Sequence, residues 1–223
     1  MRARKQTRHG KSPQGATEKS ATEGSLSLEE LRAKAARCRA CDLWKNATQT
    51  VFGEGAERSI VMFVGEQPGD QEDRAGRPFV GPAGGLLDAV REEVGIDRRG
   101  VYVTNAVKHF KWEPRGKRRI HKKPSLREVA ACKPWLAAEI DTVKPKVVVC
   151  LGATAAQALL GPKARVTRDR GALLESEFGP PVMLTVHPAS ILRSPDQASR
   201  DEARARFRED LAKVSSFLKK ARG

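Results

Sequence analysis

An α/β fold with a mainly parallel sheet is what this chain predicts, and three observations carry the prediction. Four short apolar runs, rich in β-branched residues, recur at 60–64, 101–103, 147–151 and 182–186. Stretches of helical periodicity separate them, two of which open on capping boxes, Ser27 with Glu30 and Ser125 with Glu128. Each run stops at a loop containing Gly, Asn or His. Strands joined through helices pair in parallel, so the expected architecture is a three-layer α/β/α sandwich around a four-stranded sheet.

Taken in order, residues 1–24 hold Lys, Arg, Ser, Thr and Gly with scarcely an apolar side chain, too little to offset the entropy of ordering them. They are expected to form a disordered basic arm, and residues 25–223 one domain. That size suits one core in a chain of 223 residues with 39% hydrophobic and 31% charged side chains. The helix opening at Ser27 delivers Cys38 and Cys41. The 60–64 run reads as a buried strand backed by a helix over 85–94, and the next strand ends at Thr104 and Asn105. Beyond a basic segment over 108–123, the helix opening at Ser125 carries Cys132 and Trp135. The Val147-Val148-Val149-Cys150-Leu151 run reads as a central strand, which Gly152 turns into an alanine-rich helix over 153–160. Residues 165–176 read as a short hairpin or a loop. The last strand ends at His187-Pro188-Ala189-Ser190, and a charged helix over 199–220 closes the chain.

The formal charge of +15 predicts attraction to a polyanion, and nucleic acid is the commonest one for a chain with no apolar run long enough to span a bilayer. Four cysteines are few for a disulfide framework, which points to a reducing compartment. The expectation is a cytoplasmic, nucleoid-associated monomer.

In parallel sheets, ligands bind beyond the carboxyl ends of the strands. Gly65-Glu66-Gln67, Asn105 with the basic segment, Gly152 and His187 are therefore expected to converge on one crevice. Four carboxylates, Glu66, Asp70, Glu72 and Asp73, crowd the first of these loops and stand out against the basic chain. Phe79 offers a stacking face or a core side chain, and Asn105 can read a pyrimidine edge or cap a turn. His187, made rigid by Pro188, can donate to a ligand carbonyl or bond within its own loop. In the basic segment, Lys117 and Arg119 suit phosphate contact, with Phe110 and Trp112 available to stack on bases. His121 follows a run of cations that disfavours its imidazolium form, leaving a free lone pair for a nucleophile or a phosphate contact. Cys38, Cys41, Cys132 and Cys150 have the count for a tetrahedral metal or an iron-sulfur cluster, and spacing alone does not choose between zinc, iron and plain core cysteines.

The loop over 65–73, the glycines of 76–85, Asn105, Cys38 and Cys41 with Cys132 and Cys150, and His187 to Ser190 together resemble the iron-sulfur uracil-DNA glycosylases of family 4. The likeness extends from Ser27 to Lys220. Gln67, where ordinary members usually carry Ala, and the inserted Gly116-Lys117-Arg118-Arg119-Ile120-His121 resemble the UdgX group in particular. The resemblance implies a 4Fe-4S cluster on the four cysteines, and a uracil pocket where Phe79 stacks, Asn105 reads the base edge and His187 donates to a carbonyl. It also implies attack by His121 on the deoxyribose C1′ once uracil leaves, giving a covalent complex with uracil-containing, preferentially single-stranded, DNA. Glu66 would face the sugar cation, with Gln67 and Asp70 positioning Glu66, His121 or a water; Gly65, Lys117, Arg119 and Ser190 would contact substrate. A turnover glycosylase and a non-catalytic DNA-binding protein on the same fold are the alternatives.

Overall fold

A computed structural model describes residues 26–221; the expected basic arm lies outside the described residues. In chain order the elements are α1 (Leu28–Ala35), β1 (Val61–Gly65), α2 (Asp70–Ala75), α3 (Pro82–Glu93), β2 (Val101–Asn105), β3 (Trp112–Arg115), β4 (Arg118–His121), α4 (Leu126–Val143), β5 (Val147–Leu151), α5 (Ala153–Leu160), α6 (Val166–Asp169), β6 (Leu173–Leu174), β7 (Val182–Thr185), α7 (Pro188–Leu192) and α8 (Gln197–Lys220). Both expected capping boxes form, at Ser27 with Glu30 and Ser125 with Glu128. Each satisfies backbone amides that would otherwise be orphaned at the first turn.

The sheet has five strands in the order β2-β1-β5-β7-β6, all parallel except the edge strand β6. The expected four-stranded count is thus corrected to five. The extra strand is two residues long, inside the segment read as a hairpin or loop, and too short for a period-2 signal. The segment over 70–75, expected as loop, is a helix whose Glu72 side chain accepts from the Gly69 amide. The basic segment folds as a separate antiparallel hairpin, β3 against β4, around Gly116 at φ 58°. Glycine takes that left-handed conformation without the steric cost of a Cβ.

Period-2 alternation divides the sheet's side chains between two cores. Met62, Val64, Tyr102, Val148 and Cys150 face α1, α4 and α5. Val61, Phe63, Val103, Val149 and Leu151 face the side of α3, α7 and α8. The carboxyl ends of β1, β2, β5 and β7 lie together, so the loops that follow them share one rim. No helix among the described residues is long and apolar enough to cross a membrane.

Candidate active site

At that rim a cleft of about 540 Å³ opens, lined by residues from four loops and the β4 hairpin, including Glu66, Phe79, Asn105, His121, Thr154 and His187. The expected convergence therefore holds for these residues. The size suits one flipped nucleotide or a similar small group.

The floor is formed where β1 and β2 end in register, Gly65 opposite Asn105. A Cβ on Gly65 would lie 2.3 Å from Asn105 Oδ1 and 2.9 Å from the Phe79 ring, so only glycine lets the carboxamide and the ring approach each other. Phe79 is held at φ 58°, an unusual backbone for a residue with a Cβ and a mark of a constrained site. Its ring stacks at 21° to that of His187, with centroids 6.3 Å apart. His187 caps α7: its Nδ1 accepts from the Ala189 amide at 3.1 Å. Burial, then Arg193 and His121, pull its pKa down to about 4. The ring is therefore neutral, and with Nδ1 occupied as an acceptor the proton sits on Nε2, a donor on the cleft wall. Ser190, expected to contact substrate, instead donates to the His187 carbonyl at 2.7 Å and braces that first turn.

Across the cleft, His121 Nε2 stands 3.3 Å from Glu66 Oε1. Thr154, on the first turn of α5, donates its hydroxyl to the other Glu66 oxygen and fixes the carboxylate. Desolvation lowers the His121 pKa, Glu66 opposes the shift and Arg193 adds to it. The expected direction holds, but the cause is corrected. No cation of its own segment is among the causes, and the one that acts, Arg193, follows α7.

Of the remaining acids of the first loop only Glu72 lines the cleft, and all three are engaged by partners within the protein. Asp73 is fully buried, accepting from the Thr48 amide at 3.0 Å and from Arg119 Nη1 at 2.6 Å. Asp70 pairs with Arg74 and Arg119, which hold its carboxyl below the usual range against the opposing effect of desolvation. Glu72 accepts from the amides of Gly69 and Gly81. Arg119, expected as a phosphate contact, is thus a latch. Its guanidinium lies on Asp70 and Asp73, and within 5.5 Å of the Phe110 and Trp112 ring centres. Those rings are accordingly engaged inside the protein. Gln67 is 6% exposed; its Nε2 donates to the carbonyls of Lys111 and Lys122 at 3.1 and 3.0 Å, and its Oε1 accepts from the Lys111 amide. It staples the base of the hairpin that carries His121 and also lines the cleft. Lys117 lies exposed at the hairpin tip, free to meet a phosphate.

The cysteines divide. Cys41 and Cys132 share a small apolar cluster with Leu43 and Val107, and Trp135 Nε1 donates to Cys38 Sγ at 3.2 Å. Burial, opposed by Lys108 and helped slightly by Cys41 and Cys38, pushes the Cys132 thiol up to about 11. Cys150 lies in the other part of the core, among Met62, Val64 and Leu184, where burial alone raises it. The expectation of one four-cysteine set is corrected to three thiols. Strand parity turns Cys150 into the core, whereas Cys132 sits in the N-terminal half of α4, packed with Leu43, Val107 and Cys41. Among the described residues no three ligating side chains stand at the spacing of a single ion. Three converging thiols are instead suited to corners of a larger iron-sulfur cluster, which fills the space between its ligands.

Sequence reading missed Thr154 and Arg193 as cleft residues. Both had a signal, Thr154 in the turn after a strand and Arg193 six positions after His187.

The model of the uracil DNA glycosylase superfamily matches residues 52–212. A type-4 uracil-DNA glycosylase of Thermotoga maritima is 40% identical over 86% of this chain and 95% of its own length. Those of Archaeoglobus fulgidus and Pyrobaculum aerophilum are 34% and 36% identical, over 87% and 84% of this chain and 94% and 92% of theirs. With that agreement spanning the cleft and both layers around it, the chain belongs to the uracil-DNA glycosylase superfamily, alongside its type-4 members.

Proposed function

We propose that this protein excises uracil from DNA and then holds the abasic site covalently through His121. The type-4 relatives support the first half. The observation that carries the second is His121 Nε2 facing Glu66 Oε1 at 3.3 Å, at the mouth of the base cleft.

A uracil flipped into the cleft stacks on Phe79, meets Asn105 at its edge and presents a carbonyl oxygen to His187 Nε2–H. The C1′–N1 bond breaks with its electron pair leaving on uracil, whose anion is stabilised by that donor. The sugar becomes an oxocarbenium ion between Glu66 and His121. In the tautomer protonated on Nδ1, His121 presents the Nε2 lone pair to C1′. A C1′–N bond forms, the ring becomes a cation beside the Glu66 carboxylate, and the Nδ1 proton is then free to pass to solvent or to uracil. An imidazole fixed at this position has an effective concentration above that of attacking water. Lys117 and its exposed neighbours contact phosphate. Single-stranded DNA, which needs no unpairing, is the proposed preferred substrate, and a monomer suffices because one chain supplies every site residue.

A 4Fe-4S cluster held by Cys38, Cys41 and Cys132, with a fourth ligand other than Cys150, would supply a rigid staple between the segment after α1 and α4.

The test uses an oligonucleotide with one uracil. Wild type is expected to give free uracil and a protein–DNA band that survives boiling in detergent, and His121→Ser to give free uracil and abasic DNA. Multiple turnovers by wild type with no stable band would refute capture.

A further inference from the structure

Lys108 and Glu139 form an ion pair in the interior, away from the cleft, with side chains 1% and 0% exposed and 2.5 Å apart. A buried pair is weak evidence for stability, because desolvating two charges offsets their attraction. Its geometry points to another use. An ammonium has three donors, and Lys108 Nζ directs them to Glu139 Oε2, to Thr104 Oγ1 at 2.6 Å and to the Asn105 carbonyl at 2.8 Å. Thr104 in turn donates to Glu139, whose Oε1 also accepts from Tyr102 and the Gly53 amide at 3.0 Å.

The peptide that follows Asn105 is therefore held on both sides. Lys108 takes its carbonyl, and the Ala106 amide donates to the Gly65 carbonyl at 2.9 Å. Fixing that plane fixes the direction in which Asn105 leaves the backbone, and its carboxamide is set against the bare α-carbon of Gly65. The backbone amide of Lys108 donates to Cys132 Sγ at 3.2 Å, and Glu139 lies on the same helix as Cys132. The clamp is built from the part of the protein that carries the thiols.

We propose that Lys108 is a positioning residue for base recognition: its ammonium clamps the Asn105 carbonyl and so aims the carboxamide at the uracil edge. The inference rests on the uracil-excision reading, but one of its tests does not.

Lys108→Met combined with Glu139→Gln removes both charges and leaves neither partner as a lone buried ion. Hydrogen exchange of the Ala106 amide is expected to speed up at least tenfold, while the Val107 amide, bonded to the Glu66 carbonyl, keeps its protection. In single turnover on saturating DNA, uracil release is expected to fall about 10–100-fold, the range for a misplaced contact, with DNA affinity and the absorbance near 400 nm retained. The same pair of changes made in an Asn105→Ala background is expected to cost little more, because the effect runs through Asn105. Unchanged Ala106 exchange, or a full additive loss in that background, would overturn the inference. If the double variant does not fold, Lys108→Arg keeps the charge but replaces a tetrahedral donor set with a planar fork. The same pattern is expected there, and wild-type excision with intact Ala106 protection would overturn the inference. A wild type that releases no uracil would refute the function reading, and the Ala106 exchange would still decide the clamp.

Discussion

Gln67→Ala separates excision from capture. The carboxamide makes three hydrogen bonds at the base of the β3–β4 hairpin, two to carbonyls and one from the Lys111 amide. The Lys111 carbonyl keeps a backbone partner, the Lys122 amide at 2.9 Å, so the truncation orphans chiefly the Lys122 carbonyl and the Lys111 amide. At about 1 kcal/mol net for each bond lost, the hairpin base is loosened by about 3 kcal/mol. That is about a hundredfold in the population of displaced arrangements. The hairpin does not detach, since Arg119 remains on Asp70 and Asp73 and Trp112 Nε1 still donates to the Asn46 carbonyl at 2.9 Å. His121 rides on this hairpin, whereas Asn105, Phe79, His187 and Glu66 do not. In single turnover the uracil-release rate is expected to stay within a few-fold of wild type, while the detergent-stable fraction drops at least tenfold in favour of free abasic DNA. A variant that crosslinks as fast and as fully as wild type would refute the assignment of Gln67 as the staple for His121.

Arg119→Ala leaves Asp73 buried without its cation, a loss of about 3–5 kcal/mol. It is expected as a large drop in melting temperature with an unchanged salt slope of DNA binding. Lys117→Ala should do the reverse, lowering that slope by about one phosphate contact with no thermal effect. On pH, protonated His121 has no lone pair to offer, and its pKa lies below the usual 6.5. Capture should therefore be flat above neutrality and fall in acid; a yield that rises on acidification would contradict a neutral nucleophile. His187 acts on stability with the same sign. Its folded pKa of about 4 lies below the unfolded 6.5, so the unfolded chain takes up the proton first and stability falls as pH drops through that window, by at most about 3 kcal/mol. A His187→Asn protein should lose this part of the pH dependence in chemical denaturation. Cys132→Ser is expected to abolish the 400 nm absorbance of the purified protein, and Cys150→Ala to retain it; equal loss from both would restore the four-cysteine set.

The convergence of Glu66, Asn105 and His187 was legible in the sequence because a parallel sheet brings all its strand ends to one edge, whatever the distance along the chain. The capping boxes located α1 and α4 for a similarly local reason. Side-chain partners were not legible. Asp70, Asp73 and Glu72 read as a patch of negative charge, yet Glu72 is taken by two nearby backbone amides, and the Arg119 that holds Asp70 and Asp73 comes from a hairpin about fifty residues away. Gln67 read as a positioning residue, but that it would act through the backbone of the His121 hairpin was not legible, because its partners, Lys111 and Lys122, lie more than forty residues away. Cys150 was decidable in principle. It shares strand parity with Val148, and residues of one parity share one face. Arg193 and Thr154 escaped because lying just after a strand or a short helix puts a residue near the rim without saying whether its side chain enters the cleft.

The hairpin also bears on transfer between proteins. Its sequence is short and contiguous, which invites grafting onto a turnover relative as a unit. Yet each tether that holds it ends outside it, on Gln67, Asp70, Asp73, Asn46 and Glu128. A graft of residues 112–121 alone would leave behind Gln67, whose bonds to Lys111 and Lys122 close the hairpin's base. The minimal transplantable part is the loop together with its sockets.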